Sequence, residues 1–237
     1  MTEWWTYSLS DFLLFAPRTY RRLFELYNAE VWPGHLLALA VGLALLWCVT
    51  AGQGRRWAAR AACALLAGTW LWVAWAFHLQ RFATINWAAG WYASAFAVQG
   101  LLLLLVGAGC GAHLEIRQRR VWQRRIGIGL LLFALLVQPG LGVLIGRPWT
   151  QAEWFGMAPD PTALGTLGVL LLLQAGDRPT AARARCTLPV LMLWPIPMLW
   201  CAVSGATLWA MQAPEALLLP AAAVVATIAA RASRHGG

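Results

Sequence analysis

Seven apolar stretches, separated by loops whose arginine content alternates, constrain this chain more than any other feature of it. They run near 34–50, 61–79, 91–109, 126–146, 162–176, 187–207 and 214–230. A helix needs about 20 apolar residues to cross ~30 Å of hydrocarbon. A chain that is 60% hydrophobic and 11% charged has too few charges to cover an ordinary globular surface. The expected fold class is therefore an all-α integral membrane protein of about seven transmembrane helices, with the lipid bilayer as its main partner.

The arginines predict the orientation. Loops 51–60, 110–125 and 177–186 and the C-terminal tail carry 13 of the 18 arginines. The N-terminal segment, the loops of Arg81 and Arg147 and the 208–213 turn carry the other 5. Basic loops stay in the cytoplasm, so the N-terminus is expected outside and the C-terminus inside. The 162–176 stretch is short, at roughly 22 Å for 1.5 Å per residue. Making it re-entrant would move the 177–186 loop and the tail outside and erase the bias, so seven crossings are expected.

A formal charge of +9 would suggest nucleic acid in a soluble protein. Here the cations lie in short loops between apolar runs, where membrane orientation accounts for them and nucleic acid is not an expected partner. All eighteen basic residues are arginine. With abundant Ala, Leu and Trp and little Ile, this is the composition of a GC-rich bacterial genome. Without lysine the chain forms no Schiff base to retinal or pyridoxal phosphate and completes no Walker A loop, and no cofactor is expected.

Residues 1–33 read as an extracytoplasmic amphipathic segment and residues 34–237 as the membrane domain. The start, Met1-Thr2-Glu3-Trp4-Trp5, lacks the basic region of a signal peptide, so the first span is expected to target the chain. Pro17 suits the first turn of a helix. After it Tyr20, Leu23, Phe24, Tyr27 and Val31 recur at helical spacing, with Arg18, Arg21, Arg22, Glu25 and Asn28 elsewhere on the wheel. Ser8-Leu9-Ser10-Asp11 resembles a capping box. The predicted result is an amphipathic helix in the outer interface, with a lid over the outer loops as the alternative.

Few ionisable residues lie at membrane depth, which argues against a buried carboxylate relay. A polar set instead gathers near the outer boundary: Arg81 and Asn86 in loop 80–90, and Arg147, Gln151, Glu153 and Asp160 in loop 147–161. If the loops converge, Arg81 and Arg147 hold an anion and Glu153 pairs with one of them; these five residues other than Asp160 are the candidate ligand site. Asp160-Pro161 reads as the N-cap and first residue of a helix, and Arg147-Pro148-Trp149 as a helix exit. Met157-Ala158-Pro159-Asp160 faintly echoes Met211-Gln212-Ala213-Pro214-Glu215, again as helix-start chemistry. His35 and His78 close the outer ends of consecutive antiparallel spans. They are the weaker candidates for a metal or a bis-histidine haem.

Pro189, Pro195 and Pro197 break the sixth stretch and Pro139-Gly140 the fourth, and broken membrane helices often line cavities. The five cysteines (Cys48, Cys63, Cys110, Cys186 and Cys201) contain no C-x-x-C pair, so their spacing indicates neither a disulfide framework nor a zinc site. Small hydrophobic packing is their predicted role. Trp4, Trp5, Trp32, Trp87, Trp91, Trp149, Trp154 and Trp209 mark the outer boundary, and Trp47, Trp57 and Trp122 the inner one.

Five segments carry a family likeness: Glu3–Phe12, Phe24-Glu25-Leu26-Tyr27-Asn28, Thr84-Ile85-Asn86-Trp87-Ala88-Ala89, Gly146-Arg147-Pro148-Trp149, and Ser204-Gly205-Ala206-Thr207-Leu208-Trp209. Over nearly its whole length the chain resembles a bacterial family of multi-pass membrane proteins known only as a domain of unknown function. The resemblance implies a bacterial inner membrane and supplies no activity or site residues. From the residues themselves, the leading expectation is a small-solute permease or solute-binding membrane protein. An accessory subunit docking on a membrane-protein partner through its aromatic outer face is second. A membrane enzyme is third, since no nucleophile–base pair or metal triad is visible.

Overall fold

Pro17, with φ fixed and no N–H to satisfy, opens helix α1 (Pro17–Val31). The computed structural model describes residues 15–116, 120–175 and 181–232. Trp4, Trp5, the Ser8–Asp11 turn, Arg117, Arg119, Arg178 and Arg234 lie outside them. The predicted apolar face of α1 is the buried one, through Tyr20, Leu23, Phe24 and Tyr27. Its partners are protein, not lipid. Phe24 lies 5.1 Å from Phe77 and Tyr20 5.7 Å from Phe82 between ring centres, and Trp72 Nε1 donates to the Tyr27 hydroxyl at 3.0 Å. The helix expected in the interface thus closes over one end of the bundle.

The chain then bends by 93° into α2 (Gly34–Thr50). Helix α3 (Arg56–Trp72) continues into a π-helical stretch, Val73–Leu79. Then come α4 (Ala89–Gly109), strand β1 (Leu114–Ile116) and α5 (Val121–Leu132), which passes through a second π stretch, Phe133–Val137, into α6 (Gln138–Leu144). After them follow α7 (Pro159–Leu170), strand β2 (Leu173–Ala175), α8 (Ala181–Leu191), α9 (Pro195–Ala210) and α10 (Leu218–Ala232). Among the described residues, four helical stretches are long and apolar enough to cross a membrane: Arg56–Thr84, Ala89–Gly109, Val121–Leu144 and Arg185–Ala210. The bent pair α1–α2 makes a fifth if taken as one span.

The stretch expected as the fifth crossing has a different form. Helix α7 is 12 residues long, about 18 Å, and every one of its residues is buried. It is the central rod of the bundle. Beyond it the chain becomes extended, and β2 pairs antiparallel with β1, Glu115 opposite Gln174. The ends of α4 and α7 therefore meet. Gly54 N–H donates to Ile116 O at 3.0 Å, bringing the α2–α3 connection to the same end. At the opposite end Asn28 of α1 donates to Thr150 O and Ala152 O at 2.9 and 2.8 Å.

Close approach packs α7 against α5. A Cβ on Gly168 would sit 2.5 Å from Gly127 O, and one on Gly127 would sit 2.8 Å from Gly168 O. Small residues at a crossing let two apolar helices touch along their backbones. The proline break between α8 and α9 is also absorbed locally. Pro197 has no N–H for Leu193 O, and Gln99 Nε2 donates to that carbonyl at 3.0 Å.

One expectation about the cysteines is overturned. Cys110 and Cys186, 76 residues apart in sequence, form a disulfide between the end of α4 and α8. Their spacing carries no such signal because the pair is made by tertiary approach. Cys48, Cys63 and Cys201 are free and buried.

Candidate functional site

Helix α6 ends in a Schellman turn: Arg147 N–H donates to Gly142 O at 2.8 Å and Gly146 N–H to Val143 O at 3.1 Å. The turn needs a left-handed residue, and Gly146 has φ +81°. It is a helix exit, as predicted, but the Arg147 side chain turns inward. Arg147 Nη2 lies 2.5 Å from Glu215 Oε1, and Arg21 of α1 reaches the same oxygen at 3.9 Å. Glu215 sits in the α9–α10 turn, with its side chain 9% exposed.

Arg147 and Glu215 wall a small cavity with Gln138, Gln151, Glu153 and Asp160, lined on its apolar sides by Leu141, Leu208, Leu218 and Leu219. Its volume, about 20 Å³, exceeds the ~10–15 Å³ that one water centre needs. Three of its wall atoms are buried without a partner: Gln138 Oε1, Glu215 Oε2 and Arg147 Nε. Each orphaned group costs about 1–3 kcal/mol unless something fills it.

Asp160 is not the N-cap that the sequence suggests. Ala158 occupies that position without a side-chain cap, while Thr162 Oγ1 ties the preceding loop to the helix by accepting from Gly156 N–H at 3.0 Å and donating to Ala158 O at 2.7 Å. Asp160 instead lies within the first turn of α7, where the helix dipole favours an anion. Trp200 Nε1 and Ser204 Oγ, one turn apart on α9, donate to its two oxygens at 2.8 and 2.7 Å.

Glu153 shares the cavity wall. Burial and the nearby Asp160 carboxylate push it up to about 8, with Arg147 pulling the other way. An unfolded glutamate titrates near ~4.3, so between those values the folded protein holds a proton that the unfolded chain releases. The stabilising contribution is complete below the lower value and is lost as pH climbs to the upper one. The melting temperature is therefore expected to fall from pH 5 to pH 8, and Glu153→Gln to flatten most of that fall. Equal slopes in melts of the two proteins would remove Glu153 as the cause.

The two predicted loops do not form one site. Arg147, Gln151 and Glu153 reach the cavity, but Glu153 is not the partner of Arg147; Glu215 is. Arg81 lies at the other end of α1, 2.5 Å from Glu30 Oε2 and over the Tyr27 ring at 5.5 Å. Asn86 makes a turn, accepting from Ala88 N–H at 2.9 Å ahead of α4.

The two histidines are likewise apart. His35 Nε2 lies 3.2 Å from Asn28 Oδ1, and its ring contacts Trp32 and Trp154. His78 is wholly buried among Phe77, Phe82, Tyr92, Phe96 and Trp200, with neither ring nitrogen partnered. Among the described residues, no group of three or more His, Cys, Asp or Glu is placed to hold a metal ion.

Sequence reasoning passed over Glu215, Arg21 and Gln138 and misassigned Asp160. The echo of Pro159-Asp160 in Pro214-Glu215 was the available signal, since both acids line one cavity. The prolines of the sixth stretch do not line it.

Together these features define a helical bundle with apolar helices of membrane-spanning length around a buried central helix, with a small charged cavity at one end. The chain belongs to the family described as a family of unknown function, DUF6064, whose model matches residues 18–235. No curated protein and no solved structure matches it.

Proposed function

We infer that this is a bacterial inner-membrane protein that binds a small polar solute at the outer end of a seven-crossing bundle. The observation that carries the reading is the small cavity lined by Gln138, Glu215 and Arg147, each with a buried polar atom lacking a partner: Gln138 Oε1, Glu215 Oε2 and Arg147 Nε. Binding there is also the first step of a small permease. The π stretch before Gln138 and the break before Pro195 supply bends about which such helices rearrange. The test is thermal unfolding in detergent against small cations, carboxylates, amines and amino acids. A ligand at 100 times its Kd adds about 2.7 kcal/mol, and Glu215→Gln should abolish that gain. If no solute stabilises the wild-type protein, the reading fails.

The orientation, N-terminus outside, is supported by the arginine bias and by the loops it puts inside, which meet at the β1–β2 end. Against it stands the Cys110–Cys186 bond, which this orientation puts in the cytoplasm, where thiols are kept reduced. Thiol trapping in intact cells before lysis is expected to find this pair reduced, with the bond forming on oxidation. A bond already formed in cells would reverse the orientation.

A second reading, an accessory subunit, is favoured by Trp87 and Trp91, 75% and 73% exposed beside the Arg81 loop. Native co-purification decides it: a stoichiometric partner, lost in Trp87→Ala/Trp91→Ala, would make this a docking protein.

A further inference from the structure

We propose that the β1–β2 end of the bundle is a docking surface for an anionic phospholipid, with Arg56 and Arg60 on the phosphodiester and the Trp47–Trp57 pair against the glycerol and upper acyl chains. This goes beyond the cavity and does not rest on it; it needs only that the apolar helices lie in a bilayer.

The fold collects at this end arginines that are far apart in sequence. Gly54 N–H, donating to Ile116 O, sets Arg55 and Arg56 beside β1. A Cβ on Gly111 would lie 2.5 Å from Arg60 Cγ, so Arg60 lies across the end of α4. The Cys110–Cys186 bond brings Arg185 there. Gln123 Nε2, donating to Ala229 O at 2.6 Å, brings the start of α5, with Arg124 and Arg125, beside Arg231. Among the described acids Glu115 alone stands at this end, since Glu25, Glu30, Glu153, Asp160 and Glu215 are at the other. Neither α3 nor α5 has an acid in its first turn. The protein does not balance this charge itself.

Arg56 and Arg60 are the open pair within it. Arg120, Arg124 and Arg231 are engaged in other interactions. Arg55, Arg56 and Arg60 are exposed, and none has an ion-pair partner among the described residues. Arg56 and Arg60 stand four residues apart on α3 and so share one face. Beside them Trp57 meets Trp47 of α2 at 4.9 Å between ring centres, and the two indoles are 41% and 55% exposed. Leu43, one turn from Trp47 on the same face of α2, is exposed too and continues the apolar surface.

The occupant this surface fits carries negative charge at one end and hydrocarbon at the other. Indoles favour the headgroup boundary, and juxtamembrane arginines attract anionic lipid. A diacyl phospholipid with a net negative headgroup has that form. A free phosphate would leave the indoles and Leu43 uncovered, and a zwitterionic lipid brings a cation of its own to a face already positive.

The experiment is native mass spectrometry of the full chain in detergent, titrated with dioleoylphosphatidylglycerol or dioleoylphosphatidylcholine. Phosphatidylglycerol is expected to bind at least about tenfold more tightly. Arg56→Gln/Arg60→Gln should weaken it about 25-fold, near fivefold for each arginine, and leave phosphatidylcholine as it was. Arg18→Gln/Arg22→Gln removes two exposed arginines at the same spacing from α1, at the other end, and should change neither. Should the first double variant fail to fold, salt decides: raising ionic strength from about 0.05 to about 0.5 M should weaken phosphatidylglycerol binding and spare phosphatidylcholine. Equal affinity for the two lipids overturns the proposal, as does a phosphatidylglycerol preference that survives in Arg56→Gln/Arg60→Gln. Equal losses in the two double variants also overturn it, because overall charge and not this surface would then attract the lipid. If glycerophosphoglycerol, the headgroup without chains, competes as well as the whole lipid, this is an anion site and the lipid assignment falls.

Discussion

Replacing Arg147 by methionine is expected to destabilise the protein by about 3–5 kcal/mol at neutral pH. The arginine is 16% and its partner Glu215 9% exposed, so the carboxylate has little water to turn to. Glu215 Oε2 already lacks a partner, and without Arg147 only Arg21, 3.9 Å away, offsets the charge. The cost comes from stranding a buried ion rather than from the worth of the pair. Removing both members, Arg147→Met/Glu215→Met, should therefore recover most of the loss. Denaturant or thermal unfolding in detergent gives the cycle, and a coupling of at least about 2 kcal/mol is expected. A double variant as unstable as the sum of the singles would mean the two charges do not stabilise each other. Arg81→Met is the contrast. Its partner Glu30 is 66% exposed, and water replaces the lost contact for under about 1 kcal/mol. Two arginines that look equivalent in the sequence thus differ several-fold in what they hold.

That difference marks where sequence reading stops. Period and length revealed the helices: α1 buries the residues that 3.6-residue spacing selects, and α2 through α6 begin and end within a few residues of the apolar runs. Loop chemistry was legible where it is local, as in the helix exit at Gly146-Arg147-Pro148. What the spacing could not show is which loops meet. Glu215 is 68 residues from Arg147 and Trp200 is 40 from Asp160, and nothing in either neighbourhood encodes the other. The same holds for Cys110 and Cys186. Asp160 was misread because the local rule for an acid before a helical run predicts a cap. A tertiary demand, two donors from α9, took the side chain instead. The short fifth stretch was misjudged in form for a related reason. Hydropathy counts apolar residues without distinguishing those facing lipid from those facing other helices, and all of α7 faces protein.

The central position of α7 leads to the other large effect. Gly168→Ala is expected to cost about 3 kcal/mol or more, at the upper end for overpacking a closed contact. The added methyl would lie 2.5 Å from Gly127 O and 3.0 Å from Leu131 N. Both are backbone atoms of α5, so no rotamer change relieves the clash and the helices must separate. Gly127→Ala meets Gly168 O at 2.8 Å and should behave alike. Gly129 is the internal control. It lies on the same helix with nothing within 4 Å of its absent side chain, and alanine there should stabilise the helix by roughly 0.5–1 kcal/mol. Unfolding of the three variants in one detergent checks the ranking; a harmless Gly168→Ala would show that α5 and α7 do not touch. The effect should also reach the cavity. Asp160 stands eight residues up α7 from Gly168, about 12 Å, and Gln138 continues the α5 rod through its π stretch. Parting the rods moves these two walls relative to each other. Gly168→Ala is therefore expected to weaken ligand-dependent stabilisation as well as the fold, while Gly129→Ala leaves it intact.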